Sequence, residues 1–201
     1  ETLDTIGPMT RDVEDAALRF NALHGFDPHD AATLPHAQAD ALRDLHGGVT
    51  GMRFAILPDA ELGELDPEVA TAFAAALGVL RGLGARIEPI TLPTGYKRMA
   101  DLVGKIIAAE GYALHRDWID RDDLPFDLDV RDRIRWAKNL SAADYIQIMN
   151  ERKSLVRDVD ALLRPFDALL MPTTPLAAIP DRKSTRLNSS HVALSRMPSS
   201  A

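Results

Sequence analysis

Two hydroxyl side chains follow a short apolar run near the carboxyl end of the chain, where they could contact a small ligand. Residues 166–171 read FDALLM and predict a buried strand, which Pro172 ends. Thr173 and Thr174 come next, and Pro172 and Pro175 on either side make this loop stiff. The point where a strand leaves an α/β sheet is a common place for a ligand pocket. From these residues alone, an ordinary connecting loop is slightly favoured over a pocket.

Other residues of reactive types are better explained by local structure. His29 and Asp30 lie in a turn-rich segment, where acidic side chains bond to nearby backbone. Glu110 and His115 are five residues apart on a predicted helix, so their side chains do not share a face. Ser141 begins the sequence SAAD, which resembles a capping box with Asp in place of Glu or Gln. We therefore assign no catalytic residue and no metal ligand.

The composition excludes several classes of function. The 201 residues are enough for one domain with a core, and the net charge of −7 gives no support to nucleic-acid or anionic-membrane binding. The absence of cysteine excludes a disulfide framework and a thiolate zinc site. No apolar run approaches the ~20 residues of a membrane span, and no signal peptide or phosphate-binding loop is visible. We expect no cofactor, no membrane partner and a cytoplasmic location.

The middle of the chain predicts a β-α-β unit. Residues 52–57 read as a strand, and residues 86–92 read as the next one. Between them, Asp66 and Pro67 are a strong helix start, and the helix runs to about Leu83. Such a unit favours a parallel pair of strands and the α/β class. Three more helices, over 96–119, 130–138 and 142–164, lead to the strand at 166–171.

The first residues predict an extended piece, a turn at Gly7-Pro8 and an amphipathic helix that Gly25 ends. Thr10 is expected to be the N-cap of this helix, since its hydroxyl can accept a hydrogen bond from a free backbone N–H. Spacings of three and four residues predict one buried apolar face, made of Val13, Ala16, Ala17, Phe20 and Leu23.

Three segments carry a resemblance to a known family. Residues 3–18 read LDTIGPMTRDVEDAAL and resemble a segment of the amidase signature enzymes, serine hydrolases that use a Ser-Ser-Lys set. The DPEV at 66–69 resembles the helix start of that family's β-α-β unit. Residues 167–175, DALLMPTTP, resemble its last core strand and the loop that follows. The resemblance covers nearly all of 1–180 and is most specific in the first and last of these segments.

The resemblance implies an α/β fold, the C-terminal part of the amidase signature fold, in which a mixed β-sheet is flanked by helices and is incomplete here. It also implies that the loop after the last strand helps to wall the acyl pocket. On that basis Met171, Thr173 and Thr174 become the candidate substrate-pocket residues.

The resemblance further implies a reaction. The intact parent would hydrolyse the C–N bond of a small-molecule carboxylic amide through a serine acyl-enzyme, and it could form a homodimer. In that family the segment at 3–18 follows the glycine- and serine-rich signature that carries the nucleophile. Residues 1–180 contain neither a Gly-Gly-Ser nor a Ser-Ser-Gly run, so we expect the catalytic residues upstream and this chain to be inactive.

Composition changes sharply near residue 181. Residues 1–180 contain two serines, whereas residues 181–201 contain six. Residues 181–191, DRKSTRLNSSH, and residues 195–201 resemble the in-frame translation of a common sequencing-library adapter. We therefore predict one amidase domain portion over 1–180 and a non-native, disordered tail over 181–201.

Three alternatives stay open beside a simple amidase. Within the family, the chain could come from the glutaminase subunit of a tRNA amidotransferase. It could also be a non-catalytic binding module on the same scaffold. Finally, it could be an unrelated small α/β protein, which would have to be stable by itself.

Overall fold

The structure is a computed structural model of the chain and describes residues 2–3, 6–30, 33 and 39–178. Its internal contacts divide the chain into two compact units, Glu1–Thr50 (unit 1) and Gly51–Ala201 (unit 2). The tail predicted over 181–201 lies outside the described residues, as do Asp4 and Thr5 of the first motif. The boundary at residue 180 and the disorder of the tail therefore stay predictions.

Helix α1 of unit 1 spans Val13–Leu23, and its N-cap is Asp12 rather than Thr10. The Asp12 carboxylate accepts a hydrogen bond from the Asp15 backbone N–H at 2.8 Å. The Thr10 hydroxyl instead donates to the Asp12 carbonyl oxygen at 2.9 Å. The prediction of Thr10 as the cap is wrong because Asp12 lies three residues before a free N–H, and its charge also favours the positive end of the helix.

The apolar face of α1 is largely uncovered. Ala17 is buried with 7% of its surface exposed, but Val13, Phe20 and Leu23 are 70%, 41% and 63% exposed. The residues that the structure describes therefore do not bury the face that the spacing predicts, although the helix itself is confirmed.

Unit 2 is built on three strands, β1 (Arg53–Ile56), β2 (Arg86–Pro89) and β3 (Ala168–Leu170), in the order β2-β1-β3. Both pairs are parallel, with Phe54 opposite Ile87 in one and opposite Ala168 in the other. The parallel pair predicted for the β-α-β unit is thus confirmed. The resemblance implies a mixed sheet. Among the described residues, all three strands are parallel.

The helices of unit 2 are α2 (Asp59–Leu62), α3 (Pro67–Gly82), α4 (Tyr96–Ile119), α5 (Leu128–Arg135), a 3₁₀ helix (Trp136–Asn139) and α6 (Ala142–Leu163). Side-chain caps set several of their starts. The Asp66 carboxylate accepts from the Glu68 N–H at 2.9 Å, as predicted for α3. Ser141 caps α6 by accepting from the Asp144 N–H at 3.1 Å. Helix α5 begins two residues earlier than predicted because Asp127 caps it.

One buried cluster of unit 2 lies at the carboxyl ends of the strands. Ala55, Leu57, Ile90 and Leu92 form a buried cluster, and Ala55 has no exposed surface. We call this group the edge cluster, since three of its members lie just beyond the ends of β1 and β2. Partly buried side chains from α2, α4, α6 and the region of β3 pack against it.

Candidate functional site

The three parallel strands end at the same edge of the sheet. The chain leaves β1 at Leu57 and enters α2, leaves β2 at Ile90 and enters α4, and leaves β3 at Met171. In open α/β sheets, ligands bind outside the carboxyl ends of the strands. This edge is therefore the place in unit 2 to look for a site.

The three predicted pocket residues lie in one loop at this edge, in different surroundings. Met171 is partly buried and packs against the edge cluster. The Thr174 hydroxyl donates to the Leu176 carbonyl oxygen at 2.7 Å, so it shapes the loop. Thr173 is exposed. The Asp66 N–H donates to the Pro175 carbonyl oxygen at 2.8 Å, which ties the loop to the start of α3.

An open groove of about 1020 Å³ lies over α4, between α2 and α5. We call it the α4 groove. Ala100, Gly104 and the buried Ala108, which recur every four residues along α4, line it together with Trp136 of the 3₁₀ helix. Met171, Thr173 and Thr174 do not line it. Sequence reasoning missed this groove, although the recurrence of small residues was a visible signal.

One end of the α4 groove reaches the sheet edge. Glu61 and Tyr96 both line the groove, and the Glu61 carboxylate accepts from the Tyr96 N–H at 2.9 Å. The N-cap residue of α4 is Gly95, which has no side chain, so Glu61 supplies the capping hydrogen bond instead. Burial raises the pKa of the Tyr96 phenol. Tyr96 also packs against the edge cluster, as Met171 does, so the groove and the predicted loop share one apolar support.

The charges on the groove's rim nearly balance. Four acidic residues line it, and so do three basic ones: Glu61, Asp101, Asp129, Asp132, Lys97, Lys105 and Arg133. The Lys105 ammonium lies 2.9 Å from the Asp101 carboxylate, so part of this charge is neutralised within the rim. Small residues of α4 line the groove beside these charges.

The described residues do not assemble a nucleophile with a base. Their two serines, Ser141 and Ser154, bond to Asp144 and Arg157 and not to a lysine or histidine. Within the same residues, no group of three His, Asp or Glu side chains is placed to hold a metal ion. None of the helices described combines the length and the apolar composition that crossing a membrane requires. The interpretation of Ser141 as a cap is confirmed.

Comparisons with known proteins agree on one family. The family model described as Amidase matches residues 1–199. An amidase from Pseudomonas putida is 32% identical over 177 residues, which are 88% of this chain and 38% of that protein. A glutamyl-tRNA(Gln) amidotransferase subunit from Geobacter sulfurreducens is 40% identical over 92 residues, which are 46% of this chain and 19% of that protein.

A solved structure gives the same result for the fold. A bacterial aryl acylamidase of the amidase signature family superposes with a TM-score of 0.70 at 27% identity. The superposition covers 86% of this chain and 37% of the acylamidase. The chain therefore spans less than half the length of these relatives, and its α/β fold is a part of theirs.

Proposed function

Because this chain belongs to the amidase family, we propose that the intact protein containing it hydrolyses the C–N bond of a carboxylic amide through a serine acyl-enzyme. The observation that carries the proposal is the family match over residues 1–199, since it covers almost the whole chain. The proposal includes a small-molecule amide as substrate, a cytoplasmic location and a homodimer as the first assembly to test.

The described residues would supply the support of the site rather than its reacting groups. Acyl transfer needs a nucleophile, a base and donors for the oxyanion, and the described serines are engaged elsewhere. The carboxyl edge of the sheet would hold the substrate, with Met171, Thr173 and Thr174 as one wall. Met171 fits this role because it already packs against the edge cluster, and Thr173 because its hydroxyl is accessible.

A second candidate is the glutaminase subunit of a tRNA amidotransferase. The observation that favours it is the higher identity, 40% against 32%, with the amidotransferase protein from Geobacter sulfurreducens, although over a shorter stretch. Such a glutaminase would release ammonia from glutamine and pass it to a partner protein. A simple amidase would release ammonia from a carboxylic amide without a partner. The two differ in substrate and in the need for a partner.

The test is ammonia release by the protein expressed from its intact gene. Release from simple carboxylic amides without a partner supports the amidase. Release from glutamine that rises when the other amidotransferase proteins and charged tRNA are added supports the second candidate. A folded intact protein that hydrolyses neither contradicts both. The 201-residue chain is the matched control and is expected to release no ammonia.

A further inference from the structure

We propose that Asp66 is a positioning residue for amide hydrolysis, because its backbone N–H holds the loop that carries Thr173 and Thr174. We call residues 171–176 the wall loop. This inference rests on the proposed amide hydrolysis and adds to it the residue that orders one wall of the substrate pocket.

The wall loop is anchored in two places. At its start, Met171 packs against the edge cluster and Pro172 is buried. Further along, the Pro175 carbonyl oxygen accepts from the Asp66 N–H at 2.8 Å. Only two residues, both threonine, lie between these anchors, and the proline on either side of them has φ fixed at about −65°. The two threonines therefore have little freedom as long as both anchors hold.

The second anchor is a single hydrogen bond. Among the described residues, it is the one backbone–backbone hydrogen bond that joins residues 172–176 to another element. The Thr174 hydroxyl donates to the Leu176 carbonyl oxygen at 2.7 Å, which shapes the loop from within but does not fasten it to a neighbour. The position of the wall loop on the side of α3 therefore depends on the Asp66 N–H.

Three features fix the direction of this N–H. Pro67, the first residue of α3, keeps the residue before it extended, and Asp66 has a ψ of 134°. The Asp66 carboxylate accepts from the Glu68 N–H at 2.9 Å. The Asp66 carbonyl oxygen accepts from the Ala70 N–H, also at 2.9 Å. Because α3 engages both the side chain and the carbonyl group, a rigid element presents the N–H to the loop.

An ordered wall loop strengthens substrate binding. Thr173 is exposed between the two anchors, so its hydroxyl is accessible to a substrate. If the loop were released from Asp66, each binding event would have to order it again, and that conformational entropy would be subtracted from the affinity. We therefore expect Asp66 to act on KM through the wall loop, without contacting the substrate itself.

The experiment compares KM and kcat in variants of the intact protein. Acetamide, benzamide and glutamine are tried first, and the amide that the wild type hydrolyses fastest is used throughout. Asp66→Ala removes the cap and should raise KM about fivefold, the ordinary contribution of one hydrogen bond, with kcat nearly constant. Asp66→Asn keeps an accepting oxygen and should restore the wild-type KM.

Asp127→Ala is the matched control for the loss of a cap. Asp127 caps α5 as Asp66 caps α3, accepting from the Val130 N–H at 3.0 Å, and it is not an anchor of the wall loop. This variant should lower the melting temperature by a similar amount and leave KM unchanged.

A double-variant cycle separates positioning from a general loss of stability. If Asp66 acts through the wall loop, Thr173→Val should raise KM by a smaller factor in the Asp66→Ala protein than in the wild type. If Asp66 only stabilises α3, the two factors should be equal.

Pro67→Ala guards against misfolding of Asp66→Ala. It keeps the cap and suits a helix, but it frees the backbone of Asp66. Pro67 is exposed, so its replacement empties no packed core. Pro67→Ala should raise KM about twofold, less than the loss of the whole hydrogen bond, and should couple to Thr173→Val in the same way. Where Asp66→Ala does not fold, this cycle decides.

The outcomes separate the two proposals. If the folded wild type hydrolyses none of the amides, the proposed function fails and this inference falls with it. If it hydrolyses an amide but Asp66→Ala and Asp127→Ala change KM equally, only this inference is overturned. Factors for Asp66→Ala and Thr173→Val that simply multiply also overturn it, and so does a wild-type KM in Thr173→Val, since Thr173 then contacts no substrate.

Discussion

At the scale of single residues, Asp120 is the side chain with the most partners in the turn after α4. Its carboxylate accepts from the Lys138 ammonium and from the Tyr112 hydroxyl, each at 2.8 Å. The bond from Lys138 and then the bond from Tyr112 hold the pKa of Asp120 below its usual value of 3.8. The same contacts raise the pKa of Lys138 and the pKa of Tyr112. One carboxylate thus fastens α4 to the 3₁₀ helix.

The stability of the intact protein should therefore depend on Asp120 at both ends of the pH range. A lowered folded-state pKa stabilises above the usual value of 3.8 and loses its effect as the pH falls through the folded value. The raised pKa values of Lys138 and Tyr112 stabilise below 10.5 and 10.0 and lose their effect as the pH rises. Asp120→Asn should lower the melting temperature at pH 7 and flatten both slopes.

Thermal melts from pH 3 to pH 11 measure this. Asp117→Asn is the control, because the Asp117 side chain is 87% exposed and its carboxylate lies as far as 3.8 Å from the Arg116 guanidinium. Melting temperatures of Asp120→Asn that equal those of the wild type at every pH would show that the fold does not depend on this contact.

The two threonines of the predicted pocket wall should respond differently to valine. Thr174→Val removes the hydroxyl that donates to the Leu176 carbonyl oxygen, which should cost about 1 kcal/mol of stability and also raise KM. Thr173→Val changes an exposed side chain, so the melting temperature should stay constant while KM rises. Amide hydrolysis and melting of the intact protein are measured together. If Thr173→Val changes neither quantity, Thr173 is not part of the wall.

At the scale of elements, Arg53 of β1 contacts β2 and the two residues just before β3. Its guanidinium donates twice to the Glu88 carboxylate, at 3.2 Å for each bond, and lies 5.1 Å from the centre of the Phe166 ring. The backbone of Arg53 exchanges two further bonds with Asp167, at 2.7 and 2.8 Å. The residue before β3 is thereby held in register with β1.

Arg53→Ala should lower the free energy of unfolding by about 1 kcal/mol. Both members of the ion pair are more than a third exposed, so solvent screens it, and the contact with the Phe166 ring adds a similar small amount. Urea unfolding of the intact protein measures the loss, which should shrink at high salt. Arg86→Ala is the control, since Arg86 lies opposite Arg53 in the register but is exposed. Equal losses of unfolding free energy in the two variants would show that the contacts of Arg53 with Glu88 and Phe166 add no stability.

The elements that the sequence predicts well are those with local signals. Helix α4 has the predicted bounds, and α3 starts at the predicted cap, because apolar spacing and caps act over a few residues. The pairing of β1 with β3 was not predicted, since no local pattern brings together strands more than 100 residues apart. The short helix α2 was also missed, as four residues carry no periodicity.

The candidate site was predicted only in part for the same reason. The loop after β3 is predicted as a pocket wall only through the resemblance of residues 167–175 to the amidase signature enzymes, because its two prolines and two hydroxyls alone slightly favour an ordinary loop. The α4 groove was not found, since it exists only where α2 and α5 flank α4. Gly104 in the sequence looks like a weak point in a helix, and its open space is visible only in three dimensions.

At the scale of the whole molecule, the apolar surface of unit 1 is the main departure from an ordinary folded protein. Seven large apolar side chains among the described residues of unit 1 are exposed by 41–91%: Ile6, Met9, Val13, Leu18, Phe20, Leu23 and Phe26. An apolar stripe on a helix normally packs against another element. The chain also spans only 38% of the amidase from Pseudomonas putida, so in the intact protein further residues are available to cover this surface.

We therefore expect the purified 201-residue chain to bind a hydrophobic dye and to aggregate, because exposed apolar patches of this kind drive association. The intact protein is expected to bind no dye and to form nothing larger than the proposed homodimer. Dye fluorescence and size-exclusion chromatography measure the two effects. Replacing Val13 and Leu23 together with serine should reduce both in the 201-residue chain, since these side chains are 70% and 63% exposed. Glu14→Ser, which changes an exposed polar residue of the same helix, should leave both unchanged. A monomeric chain that melts cooperatively without binding dye would instead show that unit 1 needs no cover.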